Sequence, residues 1–359
     1  VKFNPARLGI ARKRQMLNKK KLADLIAVDL RTIVRWEQCQ TEPTAENLDA
    51  LVSVLGFPKL FFFGDGIDEP ISEYTSFRSQ KAMSAAEREA ALAAGQIGFL
   101  ISDWVVEKFE LPAANLPDLH LFDPESAAHA LRQEWGLGEK PISNMIQLLE
   151  SKGVRVFSLA ENTTHVNAYS LWRKETPYVF LNTFKSAESS RFDAAHELAH
   201  LVLHQDGSGT GRQAEEQANC FSSAFLMPRA DVISFLPRVQ NLRQLIEKKS
   251  RWGVSVAALN YRVHKLGITT DWISRGFYIE MAKKGFNKNE PNEIEREKSV
   301  VWDKVLKTLW AEKITPADIA SQLHLPESEL SDFMCGVLNT PGAKTPIEPK
   351  PLSIVSAQA

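Results

Sequence analysis

Apolar residues recur along most of this chain at intervals of three and four, the spacing that turns one face of a helix toward a core. Between 154 and 181 they give way to short β-rich runs. Asn4-Pro5 offers a cap with proline at the first helical position, ahead of Leu8 and Ala11. Leu22, Ala23 and Ile26 predict a short helix over 19–27. A second starts at an Asp29 cap and runs Leu30 to Glu37, anchored by Ile33 and Trp36. Pro43-Thr44 caps a helix through Leu48, Leu51 and Leu55, closed by Gly56 and Pro58. Ser84 with Glu87 forms a capping box for a long helix through Leu92, Ile97, Leu100, Trp104 and Val105, ended at Leu111-Pro112. Asp123-Pro124 opens another through Ala127, Leu131 and Trp135, and a third runs Ile142 to Leu149 and stops near Gly153. The strands predicted next are Val154–Phe157, Ala168–Trp172 and Tyr178–Leu181. Two further helices follow, Phe192–Leu203 and Ala214–Met227, the latter stopped by Pro228.

Two short helices joined by a tight turn, with Arg31, Thr32 and Arg35 on the outer face of the second, make a helix-turn-helix. Charge agrees with a polyanionic partner. Residues 1–63 hold eleven Lys or Arg against six acids, a net of +5, within an overall −1. Lys19, Lys20 and Lys21 suit phosphate contacts, which confer affinity and salt dependence. Arg31, Thr32 and Arg35 suit base edges. The segment Asn4 to Phe63, through L-A-D-L-I-A-V-D-L-R-T-I-V-R-W-E, resembles the Xre or lambda-repressor-like family, which implies a five-helix DNA-binding domain. The glycine usual in the turn after Trp36-Glu37 is here replaced by Gln38-Cys39-Gln40. Helix-turn-helix units also serve as docking or dimer surfaces, and palindromic operators favour a homodimer. Near the other end, Thr315–Leu323 and Ser328–Leu338 predict a second, shorter pair. Glu327, Glu329 and Asp332 make its outer face acidic, which disfavours DNA and points to packing or protein docking.

A chain of 359 residues, 44% of them hydrophobic, is long enough to bury more than one core. No run of eighteen apolar residues occurs, and no apolar stretch follows the basic N-terminus. The expectation is therefore a cytoplasmic protein without a membrane span. Cys39, Cys220 and Cys335 are odd in number and far apart, as free thiols in a reducing compartment would be.

The predicted helix over 192–203 carries His196-Glu197-Leu198-Ala199-His200. Two histidines four apart share a helix face and can both grip one zinc ion, while the intervening glutamate handles the proton of an attacking water. Catalytic zinc takes a third protein ligand. The helix starting at Ala214 supplies Glu215, with Asn219 four residues on, in a pattern resembling the E-x-x-A-D/N helix of zinc peptidases; Glu216 is the alternate. His204 continues the face of His196 and His200 but points past a tetrahedral centre, as a second-layer or surface residue would. Tyr169, His165, Tyr261 and His264 are all candidates for stabilising an oxyanion, and the glycine-rich loop 207–211 is a candidate gate. Cys220 reads as a small buried residue rather than a ligand. A sheet edge beside the zinc helix would suit an extended peptide.

Phe77 to Glu290 resembles the ImmA/IrrE family of zinc-dependent metallopeptidases, in a form fused behind an Xre-like domain. The resemblance rests on P-I-S-N-M-I-Q-L-L-E-S-K-G-V-R-V-F, on V-F-L-N with R-F-D-A-A-H-E-L-A-H-L-V-L-H, and on E-E-Q-A-N-C-F-S-S-A-F-L-M-P. It implies an α+β gluzincin-like fold, His196, His200 and Glu215 as Zn2+ ligands, Glu197 as catalytic acid and base, and cleavage of a partner transcriptional repressor.

The expectation is thus a multidomain chain with an all-α helix-turn-helix domain at 1–66, a helical connector at 67–140 and a zincin-like metallopeptidase domain at 141–290. A helical C-terminal region at 291–340 and a disordered tail at 341–359 complete it. Its function would be operator binding joined to zinc-dependent endopeptidase action on a protein partner. The alternatives are the antitoxin of a toxin–antitoxin module, binding a toxin, and a transcription factor using zinc without catalysis. Retention of Glu197 speaks against the last.

Overall fold

The computed structural model describes residues 2–70, 76–77, 84–159, 168–183, 185–205, 211–286 and 288–334. His165, Gly207 to Thr210, Cys335, the end of the second predicted C-terminal helix and the 341–359 tail lie outside them.

The first unit contains helices α1 (Pro5–Arg14), α2 (Lys19–Leu25), α3 (Leu30–Glu37) and α4 (Ala45–Leu55), each started by a side-chain cap from Asn4, Asn18, Asp29 or Thr44. Where five helices were expected, the fifth element is a 3-10 turn over Lys59–Phe63, closed by bonds of the i→i+3 kind such as the Phe61 amide to the Pro58 carbonyl. Leu8, Leu22, Ile33, Trp36 and Leu51 close its core. After α3 the chain makes a complete Schellman turn. The Cys39 amide donates to the Trp36 carbonyl and the Gln40 amide to the Arg35 carbonyl. Cys39 holds φ +60, the left-handed conformation that glycine adopts without strain.

Helix α5 (Ala85–Lys108) has the expected Ser84–Glu87 capping box. It is the one described helix long and apolar enough to cross a membrane, but 72% of its apolar window is buried inside the protein, as befits a core helix. It crosses one face of a sheet ordered β1-β3-β4-β2, formed by β1 (Ser76–Phe77), β2 (Arg155–Leu159), β3 (Ala168–Arg173) and β4 (Thr176–Asn182). β2 and β4 are parallel; β3 runs antiparallel to both β4 and β1. The approach of α5 is close: a Cβ at Gly98 would lie 2.8 Å from the Phe180 ring. The Tyr169 hydroxyl donates to the Ala91 carbonyl at 2.7 Å.

Alternation along the strands divides the apolar residues between two cores. Phe157, Tyr169, Tyr178 and Phe180 join α5, the first unit and the C-terminal helices. Val156, Ala168, Val179 and Leu181 face the other way, onto α6 (Pro124–Glu134), α7 (Met145–Ser151), α8 (Ala187–Leu203) and α9 (Arg212–Leu226). Helix α7 begins later than its apolar pattern suggested because Asn144 caps it. Helix α8 begins earlier, at a Ser186 cap. Four further helices follow, α10 (Arg229–Phe235), α11 (Leu242–Lys248), α12 (Val256–Lys265) and α13 (Asp271–Lys283), of which α12 packs on α9 and is itself flanked by α11 and α13. A sheet edge beside the histidine-bearing helix was expected to suit a peptide; β3, which packs on α8, has its outer side paired by β1, Ser76 opposite Ser170 and Phe77 opposite Tyr169.

An irregular strap over 288–299 leads to α14 (Val300–Ala311), α15 (Pro316–Leu323) and α16 (Glu327–Phe333). Buried ion pairs and hydrogen bonds hold it. Arg191 pairs with Glu297, Lys249 reaches Glu188 at 2.6 Å and Glu290 at 3.3 Å, and Glu150 accepts the amides of Val300 and Val301 and the hydroxyl of Ser299. Glu329, expected on an exposed acidic face, turns inward to Arg14 at 3.1 Å, because α16 packs against the first unit. With Trp104 donating to Gln322 at 3.1 Å, the C-terminal pair is a packing element.

Candidate metal centre and nucleic-acid interface

Helices α8 and α9 bring His196, His200 and Glu215 to one point. The two Nε2 atoms lie 3.2 Å apart, and the Glu215 carboxylate oxygens lie 3.3 Å from His196 Nε2 and 3.6 Å from His200 Nε2. Zinc bonds of about 2.0–2.1 Å in a tetrahedron set neighbouring donors about 3.3–3.4 Å apart. The three side chains therefore fit such an ion without rearrangement, and they are the His/Cys/Asp/Glu cluster of metal-binding spacing among the described residues. Both imidazoles are buried. Burial would raise the Glu215 carboxyl, yet the two imidazoles outweigh it and hold the group well below the usual carboxylate range. Glu216 turns away to an exposed ion pair with Arg212 at 2.8 Å.

Glu197 is fully buried between its helix and the sheet, and its Oε2 accepts the Ser170 hydroxyl at 2.7 Å. Ser170 lies on β3, on the face turned to α8, so the strand positions the carboxylate. Sequence reasoning missed Ser170; the signal that could have found it is a hydroxyl at an inward position between apolar strand residues. His204 stands behind the centre. It ends α8 with its Nδ1 3.0 Å from the Nδ1 of His200, and its Nε2 lies 3.0 Å from Gln217 Oε1 on α9.

A cleft of about 760 Å³ lies between α8, α9 and α12, lined by Phe192, Asp193, Asn219, Cys220, Tyr261 and Lys265 among others. Phe192 sits one helical turn before His196, and Asn219 one turn after Glu215, so the cleft wall lies one turn from each of these two donors. Of the four oxyanion candidates, Tyr261 lines this cleft. Tyr169 is on the opposite face of the sheet, bonded to α5; His264 faces Asp271 at 3.1 Å; His165 is not among the described residues. Burial, foremost, raises the Tyr261 phenol, which keeps it a donor. Cys220 is half-buried at the cleft wall, its thiol raised chiefly by burial.

On the first unit, Arg31 and Arg35 are exposed one turn apart on α3, and Thr32 beside them is half-buried. Lys20 and Lys21 are exposed at the start of α2. Lys19 is partly committed: it pairs with Glu37 at 2.9 Å, which also takes Arg12 at 2.6 Å. Burial opposes ionisation of Glu37, but these two cations hold its carboxyl below the ordinary value.

Two segments of the chain match known families. Residues 149–264 match a peptidase family model, the IrrE N-terminal-like domain. Residues 8–62 match the helix-turn-helix family model. The IrrE-like match contains β2 to β4, α8 and α9, and with them all three converging donors. The helix-turn-helix match contains α2 and α3. The chain thus joins a helix-turn-helix DNA-binding segment to a metallopeptidase-like one. No curated protein matches it.

Proposed function

We propose that this protein is a DNA-binding regulator whose IrrE-like domain is a zinc-dependent endopeptidase acting on a protein partner, a transcriptional repressor being the substrate the family suggests. The observation that carries the reading is the convergence of His196, His200 and Glu215 at tetrahedral spacing beside a buried, held Glu197. A zinc ion held by these three would supply Lewis-acid polarisation of the scissile carbonyl and of the attacking water. Glu197 takes the water's proton and returns it to the leaving amine, with Ser170 fixing its orientation. Tyr261 donates to the developing oxyanion from the cleft wall, and Phe192 and Asn219 border the bound peptide. Because β1 covers Ser170 and Tyr169 on the edge of β3, an extended substrate enters along the cleft or displaces β1.

The purified chain should carry about one zinc, and Glu197→Gln should keep the metal, lose proteolysis and retain its substrate in a pull-down. A tightly held small protein that the parent chain leaves intact would replace this reading with the antitoxin one. On the first unit, Arg31→Ala with Arg35→Ala should weaken specific DNA binding more than non-specific binding; a uniform loss would demote both to phosphate contacts.

A further inference from the structure

His204 and Gln217 are not needed as ligands, yet they complete a chain of hydrogen bonds that ends on one. We propose that Gln217 and His204 act as a positioning relay that fixes His200 in the tautomer able to bind the metal. The inference rests on the zinc reading above and adds to it two residues, His204 and Gln217, that the reading does not use.

Proton bookkeeping carries it. A neutral imidazole has one N–H and one lone pair. Gln217 Oε1, 3.0 Å from His204 Nε2, can only accept, so the His204 proton resides on Nε2 and the lone pair on Nδ1. That lone pair faces His200 Nδ1 at 3.0 Å, which must therefore carry the His200 proton. His200 Nε2 is left with its lone pair, and this is the atom that faces His196 Nε2 and Glu215. Turning the Gln217 amide over would reverse every step and place a proton on His200 Nε2, where it would block coordination. A metal-bound histidine ordinarily has its second nitrogen fixed by a carboxylate or carbonyl. Here a second histidine stands in that place and passes the constraint to α9, the helix that supplies Glu215. His204 can do so because it is the cap residue of α8, with φ −129 and ψ 37, outside helical geometry.

The tautomer can be read without activity and without metal. Two-bond 15N–1H correlation spectra of the zinc-free full chain at about pH 8, where ordinary imidazoles are neutral, should show His200 protonated at Nδ1 and His204 at Nε2. Competition with a chromophoric chelator then measures zinc affinity. His204→Phe, which keeps an aromatic ring but neither nitrogen, should bind zinc about 10- to 100-fold more weakly. Gln217→Glu, whose side chain is acceptor-only, should bind at least as tightly as the parent. His200 protonated at Nε2 in the unmodified chain, or equal zinc affinity in His204→Phe, would overturn the relay. If His204→Phe does not fold, the spectra of the parent and of Gln217→Glu decide alone. Absence of zinc binding by the parent would instead remove the peptidase reading, and the spectra would still judge the relay.

Discussion

Glu150 makes the stability of this protein depend on pH near neutrality. It lies on α7, is almost wholly buried, and accepts from Ser299 Oγ and from the Val300 and Val301 amides at the start of α14. Those donors favour the carboxylate, but burial outweighs them and pushes the carboxyl up to about 7 from 4.5. Between these two values the folded chain holds a proton that the unfolded chain has released. Folding therefore gains from this group at low pH, and the gain disappears as pH rises through about 7. A displacement of this size corresponds to about 3 kcal/mol in all, of which about 2.5 kcal/mol falls between about pH 5 and pH 8. Glu150→Gln removes the titration but keeps the shape: its carbonyl accepts the two amides and its NH2 donates to Ser299. In urea unfolding across that range, the variant should gain on the parent by about 2.5 kcal/mol as pH rises, while groups common to both cancel. A difference independent of pH would mean that Glu150 is ionised throughout and that its three donors outweigh desolvation.

Three other outcomes follow from local geometry. Ser170→Ala should keep zinc and lower turnover about 10- to 150-fold, since a hydrogen bond to a charged group is worth about 1.5–3 kcal/mol; turnover equal to the parent's would mean that Glu197 is held by its helix alone. Cys39→Gly should raise unfolding stability by up to about 1 kcal/mol, because φ +60 suits glycine. A loss would show the Schellman turn to be unstrained with cysteine. Lys249→Met should cost about 3–5 kcal/mol by leaving Glu188 and Glu290 buried without their cation, and a cost below about 1 kcal/mol would show both carboxyls protonated in the fold.

Both functional helices could be read in the sequence because their chemistry and their burial share one period. In α8 the spacing that buries Leu198 and Val202 also sets His196 and His200 one turn apart, and in α3 Ile33 and Trp36 anchor the helix that displays Arg31 and Arg35. Caps gave the start of α5 because Ser84 and Glu87 bond reciprocally within four residues. Apolar period was weak in the short helices that follow α9: α10 buries only Val232 and α11 only Leu242 and Leu245, so neither has a stripe long enough to show a period, although Asn241 and Gln244 cap α11 reciprocally. β1 is two residues long, and its existence depends on β3 offering an edge.

The same distinction explains why the three donors were legible and their support was not. Glu215 stands in a local motif, whereas Ser170 reaches Glu197 across 27 positions and Gln217 meets His204 across 13, from a different helix. Glu329 was misplaced for a related reason. Its exposure follows from α16 alone, but Arg14, 315 positions away, offers a buried partner, and a paired carboxylate at an interface is tolerated where a solitary one is not. That pair, with Trp104 and Gln322, packs the C-terminal helices on the DNA-binding unit and on the core that reaches Phe157 and Phe180 of the peptidase-like sheet. One face of that sheet therefore shares a core with the helix-turn-helix unit, and the other supports the helix bearing His196 and His200. A displacement of β3 on either side would be felt at Ser170, the residue that holds Glu197.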